Sequence, residues 1–73
     1  MATAIPVLSL EVIGETAGAV WRALVDHGPM SLTRLLKAVD APRDVVLQAI
    51  GWLAREDKIT FESNGRARVI VLR

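Results

Sequence analysis

Cysteine is absent from this 73-residue sequence, and histidine occurs once, at His27. The chain therefore has no disulfide and no thiolate ligand, and an isolated histidine does not make a zinc site. The absence of cysteine is also compatible with a reducing compartment. We expect a protein that needs no metal or other cofactor, and we expect it to be cytoplasmic.

Long apolar runs are missing as well. No segment reaches the roughly 20 apolar residues that span a bilayer. The apolar run over residues 4–10 is short, contains Pro6 and has no basic residue before it, so it does not resemble a secretory signal. We expect no membrane partner. We treat residues 1–11 as an N-terminal arm and residues 12–73 as a single domain.

The residues that catalysis requires are scarce too. A Ser-His-Asp set can be drawn only from Ser31, His27 and Asp26, and no nucleophile elbow or oxyanion loop surrounds them. Gly14 and Gly18 do not follow a strand, so they do not form a phosphate-binding loop. A chain this short also leaves little room for a substrate pocket. We expect no enzymatic activity and no small-molecule substrate.

Hydrophobic residues are abundant, at 52% of the chain. A domain of this size buries only about 60% of its unfolded surface, so its stability depends on a dense core or a partner subunit. The net charge is only +1, but from Lys58 onward four basic residues accompany one acidic residue. This basic C-terminal end is consistent with nucleic acid as a partner, and equally with an ordinary solvated surface.

Three helices are predicted from apolar residues that recur at intervals of three and four. The first begins at Gly14-Glu15-Thr16 and ends at Gly28-Pro29, a pair of helix breakers. The second follows Ser31, which is a good N-cap residue. A turn at Asp40-Ala41-Pro42 leads into the third helix, which runs from about Pro42 to Glu56.

A β-hairpin is predicted after the helices. Residues 58–62 alternate in character, with Ile59 and Phe61 on one side. Ser63-Asn64-Gly65 contains the Asn-Gly pair, which is the strongest short signal for a hairpin turn. The return strand then covers residues 66–72.

The hairpin must pack on the helices, because two strands alone are not stable. We expect Val69 to face inward, Ile70 and Leu72 to face outward, and residues 30–31 to lend a short strand. Together the elements predict an α+β fold, a winged helix-turn-helix of three helices with a C-terminal hairpin wing. The predicted core consists of Val20, Leu24, Leu35, Leu36, Val46, Ile50, Leu53, Ile59, Phe61 and Val69.

Two motifs resemble a known family. They are Ile13-Gly14-Glu15-Thr16-Ala17-Gly18 followed by Val20-Trp21, and Gly51-Trp52-Leu53-Ala54-Arg55-Glu56 followed by Lys58-Ile59. Through these two motifs the chain resembles a family of small stand-alone prokaryotic winged helix-turn-helix proteins of largely unknown function. The resemblance covers about residues 12–72, and it implies the fold and, by analogy, nucleic-acid binding. Asp57 stands where that family usually has glycine, so we expect a less relaxed turn there.

The third helix is the predicted recognition helix, since winged-helix domains usually place it in the DNA major groove. Its outward face is poor in cations, because it includes Asp44 and Gly51. We therefore expect the wing to contribute more to binding than the centre of the helix. The predicted nucleic-acid-binding residues are Thr33, Arg34, Lys37, Arg43, Gln48, Arg55, Asn64, Gly65, Arg66 and Arg68.

A symmetric homodimer is also predicted. Close approach of another backbone would explain the helical Gly51, and Trp52 either anchors an interface or belongs to the core. In the competing arrangement the chain is a monomer whose arm covers Ile70 and Leu72. The predicted interface residues are Val45, Gly51, Trp52, Ile70 and Leu72.

Two functions remain open from the sequence. The first is binding of double-stranded DNA, as in a transcriptional regulator. The second is a protein-interaction or dimerisation module that has the fold but does not bind DNA.

Overall fold

The computed structural model shows a winged helix-turn-helix. The model describes residues 10–73, apart from the side chain of Asn64. The three strands form one antiparallel sheet in the order β1-β3-β2. The predicted fold class is therefore confirmed. The elements are α1 (Leu10–His27), β1 (Met30–Ser31), α2 (Leu32–Ala38), α3 (Arg43–Arg55), β2 (Ile59–Asn64) and β3 (Ala67–Leu72).

Helix α1 begins earlier than predicted. It starts at Leu10 and runs through Gly14 without interruption, so the prediction of a start at Gly14 is wrong. A single helical glycine lowers stability only modestly, and the packing of α1 on the core outweighs that loss. The rest of the predicted arm, residues 1–9, lies outside the described residues. The predicted end is confirmed: Gly28 has a φ of 79°, and its N–H donates to the Leu24 carbonyl at 2.9 Å.

The helix-turn-helix is built by local hydrogen bonds. Ser31 caps α2 as predicted, since its hydroxyl accepts from the Arg34 N–H at 3.2 Å. At the end of α2 the Val39 N–H donates to the Leu35 carbonyl at 3.0 Å. Residues 39–42 then connect α2 to α3, whose N-cap is Pro42. The third helix matches the predicted range to within one residue at each end.

The core lies between α1, α3 and the sheet, with α2 covering one end. Of the predicted core residues, Phe61 alone is exposed, with 53% of its surface accessible, while Leu36 and Val69 are half-buried. The buried hydrophobic residues are Ala17, Val20, Leu24, Met30, Leu35, Val39, Val45, Val46, Ala49, Ile50, Leu53, Ile59 and Ile70.

The hairpin turn lies one residue further along than predicted. Asn64 pairs with Ala67, so the turn has two central residues, Gly65 and Arg66, in place of the predicted turn at Ser63-Asn64-Gly65. Gly65 has a φ of 67°, and Arg66 is not in the positive-φ region. Glycine with positive φ at the first central position is typical of a type II′ turn, whose twist matches that of the flanking strands.

This two-residue loop also decides which side of β3 faces the core. Phe61 pairs with Ile70 and Ile59 pairs with Leu72, so these residues share a face of the sheet. The prediction that Ile70 and Leu72 face outward is therefore wrong: Ile70 is 3% exposed, and Leu72 packs partly buried against the core. The error lay in placing Val69 on the same face as Ile59, which this register does not allow.

Phe61 lies on an edge strand and is exposed, whereas Ile59 of the same strand is buried. Ile70 is in the central strand, opposite both Met30 of β1 and Phe61 of β2. Ile70 is therefore covered from two sides within the sheet, whereas Phe61 has a strand on one side only.

The turn from α3 into β2 forms a Schellman motif. The Asp57 N–H donates to the Ala54 carbonyl at 3.1 Å, and the Lys58 N–H donates to the Leu53 carbonyl at 3.0 Å. Asp57 has a φ of 63°, in the left-handed region that favours glycine. Its carboxylate forms an exposed ion pair with the guanidinium of Arg73. Asp57, which stands where the family usually has glycine, is therefore the left-handed residue of this motif.

Asp57→Gly should be about 1 kcal/mol more stable than Asp57→Ala, because only glycine adopts the left-handed conformation without a steric penalty. Both variants lose the ion pair to Arg73, so the comparison isolates the backbone. Urea denaturation followed by circular dichroism measures the difference. Equal stability of the two variants would contradict the strained turn.

Ile70→Val should lower the free energy of unfolding by about 1 kcal/mol, since it removes a methylene from the buried side of the central strand. Phe61→Leu should change it by less than about 0.5 kcal/mol, because the side chain is mostly exposed. The same denaturation experiment compares them. A larger decrease in the free energy of unfolding for Phe61→Leu would indicate that the edge strand, and not the central strand, makes the main contacts with the core.

Candidate nucleic-acid interface

The outward face of α3 has cations only at its ends. Arg43 lies in the first turn and Arg55 in the last, and both are exposed. Between them the exposed residues are Asp44, Leu47, Gln48, Gly51 and Trp52. The exposed part of α3 therefore offers one amide group and two apolar side chains for contact with base edges, and two guanidiniums for phosphates.

The N-terminus of α3 is not an open anion site. Pro42, its N-cap, has no side-chain hydrogen bond to offer, and the Asp44 carboxylate accepts from the Val45 N–H at 2.9 Å instead. A carboxylate in the first turn of a helix satisfies the positive end of the helix dipole. A phosphate would have to compete with Asp44 at this position.

The wing carries a cation, Arg68, that lines a depression together with residues of α3. Arg68 pairs with Ser63 and so shares the sheet face of Phe61 and Ile70, the face that meets the helices. It lines a cavity of about 230 Å³ between the helices and the sheet, which we call the α3–wing groove. The groove is lined by Leu32, Leu47, Ile50, Phe61, Arg68 and Ile70.

A second depression continues this surface along the wing. It has a volume of about 480 Å³ and is lined by Phe61, Glu62, Ser63 and Arg68. Arg68 thus borders both depressions, and Arg66 stands in the exposed turn at the tip. Of the two wing arginines, Arg68 therefore lies at the groove and Arg66 at the tip of the wing.

Helix α2 supplies further polar groups. Thr33, Arg34 and Lys37 are all exposed, and their spacing places them on one side of the helix. Within residues 10–73 the ion pair of Arg73 with Asp57 is the one salt bridge formed. The predicted cations of α2, α3 and the wing are thus free of carboxylate partners among the described residues, and they can bind phosphate without first breaking an ion pair.

The predicted site is only partly gathered by the fold. Arg68 and α3 are brought together at the groove, while Asn64 is paired in the backbone and its side chain is not described. Sequence reasoning missed Leu47 and Phe61 as groove residues. Leu47 was not among the predicted site residues, and Phe61 was predicted to lie in the core. Checking which strand residues a two-residue loop must pair would have placed Phe61 and Arg68 on one face.

The predicted dimer interface is not one surface. Val45 is fully buried and Ile70 nearly so, so neither is available to a partner as expected. Gly51 and Trp52 are exposed, but a Cβ added at Gly51 meets no atom within 4 Å. No close approach within the described chain therefore explains the glycine.

The three helices, the helix-turn-helix and the wing define a winged helix-turn-helix protein. Residues 8–72 match the family described as "Winged helix-turn-helix domain (DUF2582)", and the chain belongs to this family. It is 41% identical over 64 residues to the uncharacterised protein MJ1608 of Methanocaldococcus jannaschii, covering 84% of this chain and 90% of that protein.

Two solved structures are similar in fold. A structure of HOP2, described as concerning its DNA recognition and protein interaction domains, aligns with a TM-score of 0.62 at 24% identity. The alignment covers 80% of this chain and 98% of that one. AF1382 of Archaeoglobus fulgidus aligns with a TM-score of 0.60 at 19% identity, over 94% of this chain and 76% of that one. At these identities the similarity concerns the fold alone.

Two further properties hold for residues 10–73. None of their helices is long and apolar enough to cross a membrane. Among the same residues, no group of three or more histidine and carboxylate side chains is arranged to hold a metal ion.

Proposed function

We propose that this protein binds double-stranded DNA, with α3 in the major groove and the wing on the adjoining phosphates, and that it has no catalytic activity of its own. The observation that carries the proposal is the position of Arg68. It lines the same groove as Leu47 of α3, so a wing cation and the recognition helix share one surface. In winged-helix domains this combination suits a duplex, whose backbone runs beside the groove that the helix reads.

The two parts of this surface have different roles in the proposal. Gln48 can pair with adenine, and Leu47 can contact a thymine methyl group. Arg66, Arg68 and the cations of α2 neutralise phosphates, which carry no sequence information. With roughly three to five phosphate contacts and few base contacts, binding should be weak and strongly salt-dependent.

The comparisons support this proposal by analogy. The family is named for a fold that commonly binds DNA, and the similar HOP2 structure concerns a DNA recognition domain. A role as a transcriptional regulator in the cytoplasm is the more specific form of the proposal. Such a role requires a preference for particular DNA sequences. Gln48 and Leu47 would have to make the base contacts that give this preference.

A second candidate function is a protein-interaction module without DNA binding. The observation that favours it is the small number of cations on α3, where Leu47 and Trp52 are exposed large hydrophobic residues. The HOP2 structure is described as concerning protein interaction as well as DNA recognition, so its similarity favours neither function.

Fluorescence anisotropy with a labelled random duplex, at salt concentrations from about 50 to 200 mM, tests the proposal. Replacing Arg66 and Arg68 by alanine should weaken binding to all sequences and flatten the log–log salt slope by about two units. The control is the double variant Lys58→Ala with Arg73→Ala. It removes the same charge at the opposite end of the hairpin, where the Arg73 N–H donates to the Lys58 carbonyl, and it should keep most of the affinity.

Three results would count against this arrangement. Equal losses in the two double variants would mean that net charge alone drives binding. A greater loss for Gln48→Ala than for both wing arginines would place recognition on α3 rather than on the wing. No binding at the lowest salt concentration would favour the protein-interaction module.

A further inference from the structure

An apolar stripe on α1 is left uncovered by the rest of the described chain. It consists of Leu10, Gly14, Gly18, Trp21 and Val25, which we call the α1 stripe. Leu10 is 71% exposed, Val25 47% and Trp21 42%, and both glycines are exposed as well. Spacings of four, four, three and four residues place all five on one side of the helix, along roughly 22 Å of its length. The core-facing side of α1 consists of other residues.

The two glycines of the α1 stripe have no explanation within the described chain. Glycine inside a helix is less stable than alanine. A Cβ added at Gly14 or Gly18 meets no atom within 4 Å, so no neighbour within the fold requires its absence. Close approach of a backbone or a large side chain from another molecule would account for both glycines. A depression of about 290 Å³ borders Gly18 and Trp21 and extends this low surface.

We propose that the α1 stripe is a homodimer interface, in which two α1 helices pack antiparallel about a two-fold axis near Gly18. The order of residues in the stripe is self-complementary. When the helices are antiparallel and centred between Ala17 and Gly18, Trp21 of each copy lies over Gly14 of the other. Leu10 then meets Val25. A large residue thus faces a glycine on both sides of the axis, and two aliphatic residues meet at each end, so a single surface is complementary to itself.

The charges beside the α1 stripe favour the same arrangement. Glu11, Glu15 and Arg22 are exposed and follow the outer edge of the stripe. A two-fold axis perpendicular to the helices keeps this edge on the same side in both copies. Arg22 of one copy then lies between Glu11 and Glu15 of the other, which pairs opposite charges at the rim.

A parallel arrangement does not have this complementarity. It would set each residue beside its own copy, so that Trp21 would meet Trp21 and Gly14 would meet Gly14. The tryptophans would hold the helices apart where the glycines leave a gap. The match of large with small and of basic with acidic is therefore specific to an antiparallel second copy. Because the stripe includes no residue of α3 or the wing, the inference does not depend on DNA binding.

Sedimentation equilibrium without DNA tests the proposal. The wild-type chain, of 7.9 kDa, should show roughly twice that mass in the micromolar to millimolar range. Trp21→Ala should weaken association by about 30-fold or more, as expected for a tryptophan anchor. Trp52→Ala is the matched control, because Trp52 is 39% exposed but lies outside the α1 stripe, and it should leave association unchanged.

Glycine substitutions separate association from folding. Gly14→Ala with Gly18→Ala should weaken association while the monomer stays folded, because alanine favours the helix and has space in the fold. Gly51→Ala adds the same methyl group on α3 and should leave association unchanged. Association that is insensitive to the α1 glycines, or lost with Trp52→Ala instead of Trp21→Ala, would overturn the proposed interface.

Cross-linking determines the relative orientation of the two α1 helices. Because the chain has no native cysteine, each variant has a single reactive thiol. Leu10→Cys and Val25→Cys chains are mixed and treated with a short bis-maleimide reagent. The antiparallel dimer should give mainly the mixed product, since equal positions in the two copies lie roughly 20 Å apart. Products joining two Leu10→Cys chains or two Val25→Cys chains would overturn the antiparallel arrangement. A wild-type mass of 7.9 kDa up to millimolar concentration would overturn the dimer itself, without bearing on DNA binding.

Discussion

The pairing of β3 with both β1 and β2 fixes the wing to the helix-turn-helix. Ile70 lies opposite Met30 on one side and Phe61 on the other, so the wing is joined to the short strand that precedes α2. A hairpin alone would be only marginally stable and free to move. Because the central strand is sealed against the core, the wing is held at a defined position relative to the helix-turn-helix.

The position of the proposed binding surface follows from that register. Once Ile70 faces the core, Arg68, two residues away, must emerge on the same face of the sheet. There it borders the α3–wing groove together with Leu47 of α3. The cation of the wing therefore lies beside α3 as a consequence of strand pairing. A shift by one residue would have turned Arg68 away from the helices and Val69 toward them.

A small chain has few residues with which to satisfy both stability and function. Here local devices support the helices: Ser31 caps α2, Gly28 ends α1, and the Schellman bonds at Asp57 close α3. The core is nearly all aliphatic, and the larger aromatic side chains, Trp21, Trp52 and Phe61, remain partly exposed. Exposed aromatic residues are common at binding surfaces, because they provide large contact areas with little loss of conformational entropy. Two separate surfaces, the α3–wing groove and the α1 stripe, have this character, and they are formed by different elements.

Features that depend on near neighbours in the chain can be predicted from the order of residues alone. Helical periodicity, the cap at Ser31, the end of α1 at Gly28 and the existence of the hairpin all follow from residues a few positions apart, and the structure confirms each of them. The order of these elements was enough to identify the winged-helix fold. The cations of α2, α3 and the wing were also found by inspection, since charged side chains on a small domain are mostly exposed.

Tertiary structure decided which side chains are covered and which are brought together. Val45 and Phe61 are both apolar residues in amphipathic elements, yet the first is fully buried and the second more than half exposed. Leu47 and Arg68 are 21 positions apart, and only strand pairing places them on one groove. The apolar side of α1 looks like core in the sequence, and only the packing of α3 shows that part of it stays uncovered. Local hydrogen bonds depend on adjacent residues, whereas burial depends on surfaces that distant parts of the chain bring together.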